Sequence, residues 1–245
     1  MTVLAQRAIG TPADRVFYPA MAIALAAVVF LGFAPTFYLR GYVALPEGVT
    51  VPLSPLKIVH GIIATAWMCL FAAQTWLVAT ARVSTHRRLG LLGAIIAVGM
   101  VATGAAMTVD ALRRGVDPMN VDPRVWWLGN TLPPVLLFAV LVGAALALRR
   151  RVHAHKRLML LATINLVGPA LGRVALFNLD ASLVTPFAVS TLLGLVLVPT
   201  LYDLIMRRRV HPALILGGTA TIIGPWLMSA VARTPAGLAL ADWFL

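Results

Sequence analysis

Three of the five histidines stand directly before apolar runs, in nearly the same wording. The stretches read VSTHRRLGLLG, VHAHKRLMLLA and RRRVHPALILG, and the histidines they share are His86, His155 and His211. Imidazole is a ligand for zinc, iron and copper, and two imidazoles can hold a haem iron from its axial positions. These histidines are therefore candidate ligands for a metal ion or haem b. The alternative is that each one only meets lipid phosphates at the start of a helix.

The three stretches share a longer register. Each histidine has an arginine four residues before it, a leucine three residues after it and a glycine thirteen residues after it: Arg82, Arg151 and Arg207; Leu89, Leu158 and Leu214; Gly99, Gly168 and Gly224. This register indicates a threefold repeat of a helical hairpin, with shared topology alone as the alternative. The glycines lie about 20 Å into the membrane from their histidines and favour close packing or a kink. Helices 3, 5 and 7 are therefore expected to be neighbours, with the three histidines within about 10 Å, a spread that small adjustments of the ligands could close.

The amino-acid composition predicts the kind of secondary structure to which these histidines belong. The chain has 245 residues, of which 60% are hydrophobic and 11% charged, and this balance is typical of a membrane protein rather than a soluble domain. Each membrane-spanning helix needs roughly 20 apolar residues. Seven windows qualify, at about residues 16–38, 58–80, 89–109, 126–148, 158–178, 184–206 and 212–232. The sequence therefore predicts one all-α domain over residues 1–245, with a lone helix 1 and three hairpins formed by helices 2–3, 4–5 and 6–7.

The distribution of charge predicts the orientation of this bundle. With the amino terminus inside, the inner segments hold 13 of the 20 Lys and Arg residues, among them Arg7, against only two acids, Asp14 and Asp203. This positive-inside bias predicts an inner amino terminus and an outer carboxyl terminus. The expected partners of the basic clusters are the bilayer and its anionic headgroups. Nucleic acid is not expected, because no basic soluble domain is present to bind it.

Further polar residues fall inside the predicted membrane, where unpaired polar groups are costly and often functional. Near the inner histidines, Gln74, Tyr202 and Asp203 are candidates to orient an imidazole through hydrogen bonds. A second polar layer lies towards the outer face and comprises His60, Asp110, Asn130 and Arg173. Because Arg173 and Asp110 should reach a similar outer depth, the sequence predicts an ion pair between them.

Short motifs spread over almost the whole chain carry a resemblance. They are HG at His60, W at Trp67, Q at Gln74, HRRLG from His86, HKRLMLLAT from His155, YD at Tyr202 and RVHP from Arg209. With them the chain resembles a family of uncharacterised bacterial seven-helix inner-membrane proteins, which implies a multi-pass protein of the bacterial cytoplasmic membrane but no particular activity. The H…HRxLG pair around helix 2 also resembles cytochrome b561-like haem-binding membrane domains. That resemblance implies haem held by histidines of different helices at matching depth, which here means an inner pair.

Three functions remain open at this point. The inner histidines favour a membrane redox or metal-dependent enzyme that binds a metal ion or haem. The repeated hairpins and their glycines are compatible with a small-molecule or ion transporter or channel. A non-catalytic scaffold or partner subunit is the third interpretation, and a hydrophobic small molecule or a further copy of the chain would suit such a surface as partner.

Overall fold

The computed structural model describes residues 11–45, 51–115 and 121–245, so that Arg7 lies outside the described residues. Seven helices in these ranges are long and apolar enough to span a membrane, which confirms the predicted seven-helix bundle. They are α1 (Pro12–Tyr38), α2 (Pro55–Ala79), α3 (Val83–Arg113), α4 (Pro123–Ala147), α5 (Val152–Asn178), α6 (Ala181–Arg207) and α7 (Pro212–Ala232). A short helix, α8 (Pro235–Asp242), follows them.

Several helices begin before the apolar windows do. Helix α3 begins at Val83 and α5 at Val152, so that the basic turns holding His86 and His155 are already helical. Hydropathy identifies only the part of a helix that lies in the hydrocarbon core. The helix itself extends further, to the level of the lipid headgroups. Helix α8 was not predicted, because eight residues are too few to register as a span.

Helix α5 occupies the centre of the bundle. Its two halves pack against α1, α4, α6 and α7, and over half of its most apolar window is buried. Helix α3 instead packs mainly against α2 and α4. The expectation that helices 3, 5 and 7 are mutual neighbours is therefore wrong for helix 3.

The repeated glycines do not make the close contacts that their register suggested. A side chain at Gly168 or Gly224 would meet nothing within 4 Å, and one at Gly99 would touch only Ile63 of α2. Helix α5 is interrupted between Asn165 and Gly168, whereas α7 runs without a break. The close approach lies elsewhere, at Gly32 of α1, where an added Cβ would lie 2.5 Å from the carbonyl oxygen of Ala170 on α5.

We call one end of the bundle the basic end. It contains the start of α1, the α2–α3 connection, the start of α5, and the α6–α7 connection. Ion pairs of Asp14 with Lys156 and with Arg207 hold α1, α5 and α6 together there. The candidate ligands and their predicted supporting residues all lie at this end.

Candidate functional site

The first feature of the basic end is a pair of histidines from different hairpins. The ring centroids of His86 on α3 and His155 on α5 lie 6.4 Å apart, with the ring planes at 77°. Each histidine comes three residues after the first residue of its helix, which is why the two reach the same depth. The structure thus brings together two of the three predicted ligands.

Among the residues that the structure describes, each ring of this pair keeps at least one nitrogen without a hydrogen-bond partner. Nδ1 of His155 lies 2.8 Å from the carbonyl oxygen of Ala145 on α4 and donates to it, which leaves Nε2 as the free lone pair. Such a backbone partner fixes the tautomer and orientation of a ligating imidazole. Nδ1 of His86 is buried and has no hydrogen-bond partner within the described residues.

Gln74, which the sequence predicted to orient an imidazole, contacts His86 through the main chain and not through the ring. Its Nε2 donates to the backbone carbonyl of His86 at 3.2 Å, and its Oε1 is buried without a partner in the described part of the chain. The amide therefore fixes the first turn of α3 against α2. A buried acceptor without a donor is the kind of polar group that a ligand or water would complete.

His211 has a different role. It is the N-cap of α7, and its Nδ1 accepts a hydrogen bond from the backbone N–H of Ala213 at 3.1 Å. Burial, and after it the positive charge of Arg157, lowers the pKa of His211, and the neutral ring is the form that can accept this bond. Residues 11–45, 51–115 and 121–245 contain no group of three His, Cys, Asp or Glu side chains placed to hold a metal ion. The three histidines therefore do not form such a group.

Asp203, predicted to orient an imidazole, belongs instead to a buried ion pair. Arg157 of α5 holds both of its carboxylate oxygens, with Nε 2.8 Å from Oδ2 and a second contact from the other guanidinium nitrogen to Oδ1. The side chains of both residues are 1% exposed. Asp203 also accepts the backbone N–H of His211 at 3.1 Å, so it touches that histidine through the main chain and not through the ring.

Tyr202, the other predicted supporting residue, points to Asp14 on α1. Its hydroxyl donates to Oδ1 of Asp14 at 3.0 Å, and its ring stacks on Phe17 with centroids 3.9 Å apart. Asp14 also pairs with Lys156 at 2.9 Å and with Arg207 at 3.0 Å. One carboxylate therefore connects α1, α5 and α6.

Sequence reasoning did not identify Asp14 as a site residue. A signal was present, because Thr11 and Asp14 have the spacing of a capping box, and both of its hydrogen bonds form. An acid in the first turn of an apolar helix, on a chain with three basic clusters, is also a candidate partner for those cations. The result is a network of two acids and three cations at the basic end, comprising Asp14, Asp203, Lys156, Arg157 and Arg207.

The predicted outer polar layer is dispersed. Asp110 pairs with Arg114, one turn further along α3, and both side chains are partly exposed. Arg173 donates to the carbonyl of Pro169 at 3.1 Å and lies over the ring of Phe33, 4.4 Å from its centroid. The predicted pair of Arg173 with Asp110 is therefore wrong: a nearer cation on the same helix takes the carboxylate, and the guanidinium has an aromatic partner.

The other two members of that layer also have separate partners. His60 of α2 shares a hydrogen bond with Thr103 of α3, its Nδ1 lying 2.9 Å from Oγ1. Asn130 is exposed on a π-helical turn of α4. Neither arrangement gathers polar groups around a common point.

The comparisons with known proteins add no relative to this description. No protein-family model, curated protein or solved structure matches the chain.

Proposed function

We propose that the protein binds one haem b between His86 and His155 at the basic end and uses it for one-electron transfer. The observation that carries this proposal is the 6.4 Å separation of the two ring centroids. Two imidazole nitrogens that each lie about 2.0–2.1 Å from one metal ion, on opposite sides of it, place their rings roughly this far apart. The separation of the two rings therefore supports a pair of ligands that hold one metal atom between them.

The number of ligands favours haem over a simple metal ion. A porphyrin supplies four nitrogens, so haem asks the protein for two axial ligands, and the pair supplies two. Structural zinc asks for four protein ligands and catalytic zinc for three. If His86 and His155 both held the iron, a bound haem would supply electron transfer rather than ligand binding.

The surroundings of the pair suit an anionic, largely apolar cofactor. The Ala145 carbonyl orients His155, and Gln74 holds the turn that carries His86. The exposed cations Arg87 and Arg88 directly follow His86 and are partners for carboxylates such as the haem propionates. Only two of the three repeated stretches supply ligands in this proposal, because His211 caps α7 instead.

A transporter receives less support from the described residues. It would depend on the interruption of α5, since broken helices form substrate sites in many transporters. Here the interruption is filled: Asn165 is 7% exposed and donates to the carbonyl of Pro134 at 2.7 Å, and Val167 is fully buried. We also propose that the protein spans a bacterial cytoplasmic membrane, and the positive-inside bias supports an orientation with the basic end inside.

The test is the absorption spectrum of protein purified from cells supplied with a haem precursor. We expect a Soret band and a pyridine haemochrome that reports about one haem b per chain, two axial imidazoles being all the protein must supply. His86→Ala and His155→Ala should each abolish the band. His153→Ala is the matched control, since this exposed histidine lies two residues from His155, and it should keep full occupancy.

Two results would overturn the proposal. One is folded protein that contains no haem after expression with excess precursor and after titration with hemin. The other is a band of equal intensity in the His86→Ala/His155→Ala double variant. Metal analysis of the same samples identifies zinc or copper, and either metal at one per chain in place of haem also overturns it.

A further inference from the structure

A groove separate from the histidine pair opens between α4 and α7 at the basic end. Its volume is about 1120 Å³. Leu137, Val140 and Ala144 of α4 line one wall, and Leu216 and Ala220 of α7 line the other. The first turns of α5 close it at the basic end. Because Val140 is 64% and Leu216 is 73% exposed, the walls present apolar surface sideways, towards the surrounding hydrocarbon.

Positive charge is confined to one end of this groove. Arg150 and Arg151 border it there, and His153 and His211 lie beside them. Within the described residues neither guanidinium has a carboxylate partner, in contrast to Arg157 and Arg207. The start of α5 adds to this field, because Arg151 is its N-cap without a side-chain hydrogen bond and its first turn contains no acid.

We infer that this groove binds an anionic phospholipid, with the phosphate at Arg150 and Arg151 and an acyl chain between α4 and α7. Charge complementarity selects the headgroup, because guanidinium groups bind phosphate oxygens in pairs. The apolar walls favour a ligand that has a hydrocarbon chain. The volume exceeds the range of about 300–1,000 Å³ that is usual for small-molecule sites, which suits a two-chain lipid. Basic pockets between spanning helices are typical of lipid headgroup sites.

The experiment measures lipid bound to the purified full-length chain by native mass spectrometry, with phosphatidylglycerol and phosphatidylcholine of equal chain length as probes. We expect one phosphatidylglycerol to bind in preference to phosphatidylcholine. Arg150→Gln/Arg151→Gln should weaken its binding about thirtyfold, since each of the two cations near a membrane surface contributes on the order of 1 kcal/mol. Arg15→Gln/Arg82→Gln removes the same charge from the same end at two exposed residues that do not line the groove, and it should leave occupancy unchanged.

A second variant tests the walls while keeping all charges. Ala220→Phe fills the apolar part of the groove and should also displace the lipid, and glycerol 3-phosphate at millimolar concentration should not compete. The inference is overturned if both arginine pairs lower occupancy equally, if Ala220→Phe binds as the parent does, or if glycerol 3-phosphate displaces the lipid. Haem occupancy of these variants is measured in parallel, and its retention separates the lipid site from the histidine pair.

Discussion

Arg157 and Asp203 show how strongly environment changes the importance of an ion pair. Both side chains are 1% exposed, and without Arg157 the Asp203 carboxylate would keep only the longer contact with Arg207, at 3.5 Å, as a charged partner. Arg114 and Asp110 form the same kind of contact at the opposite end, but their side chains are 44% and 41% exposed. Water and headgroups can solvate either member of the second pair, so its contribution to stability should be small.

We therefore predict that Arg157→Gln lowers the free energy of unfolding by about 3–5 kcal/mol, because a buried carboxylate loses its paired hydrogen bonds to the guanidinium and keeps only the weaker contact with Arg207. Arg114→Gln, the matched control, should cost about 0–1 kcal/mol. Thermal unfolding in one detergent, followed by circular dichroism, compares the two. Combining Arg157→Gln with Asp203→Asn should recover part of the loss. Equal effects of the two single substitutions would contradict the assigned role of burial.

At the scale of elements, the interrupted helix α5 organises the bundle. Pro169 has no backbone N–H for the carbonyl of Asn165, and the chain turns once at Leu166 and Val167 before α5 resumes. The second half then approaches α1 closely, at Gly32 and Ala170. Glycine is required at Gly32 for space, since the nearest atoms to an added Cβ are backbone atoms of α5 that cannot rotate away.

We predict that Gly32→Ala destabilises the protein by about 1–3 kcal/mol, because one methyl group must separate two packed helices. Gly143→Ala on α4 is the matched control, since its Cβ would meet nothing within 4 Å. The control should be neutral or stabilising by about 0.5–1 kcal/mol, as alanine has the lower conformational entropy in the unfolded chain. Thermal midpoints that shift in the same direction for both variants would show that the α1–α5 contact is not tight.

For the molecule as a whole, the sequence predicted how deep a residue lies in the membrane better than it predicted which side of its helix the side chain occupies. The seven spans and the common depth of His86 and His155 follow from hydropathy and register, because a bilayer forces apolar residues into windows of fixed length. The direction in which a side chain points around its helix depends on how the helices pack. Two residues at the same depth can therefore face different neighbours. The proposed partnership of Arg173 with Asp110 failed for that reason. The pairing of Asp110 with Arg114 depends only on spacing along one helix, and it was therefore readable from the sequence.

The last prediction concerns the orientation of the bundle in the membrane. If the positive-inside bias determines it, the basic end faces the cytoplasm. In a Cys69→Ala background, Ser84→Cys and Arg149→Cys report on the basic end and Ala44→Cys on the opposite end, and all three positions are exposed. A membrane-impermeant maleimide should label position 44 in right-side-out vesicles and positions 84 and 149 only in inverted ones. A cysteine at Ala154 would not be a suitable reporter, because this position is 7% exposed and a lack of labelling would reflect packing rather than topology. Labelling of position 84 at the rate of position 44 in right-side-out vesicles would contradict this orientation. The proposed haem and lipid sites would then both face the other side of the membrane.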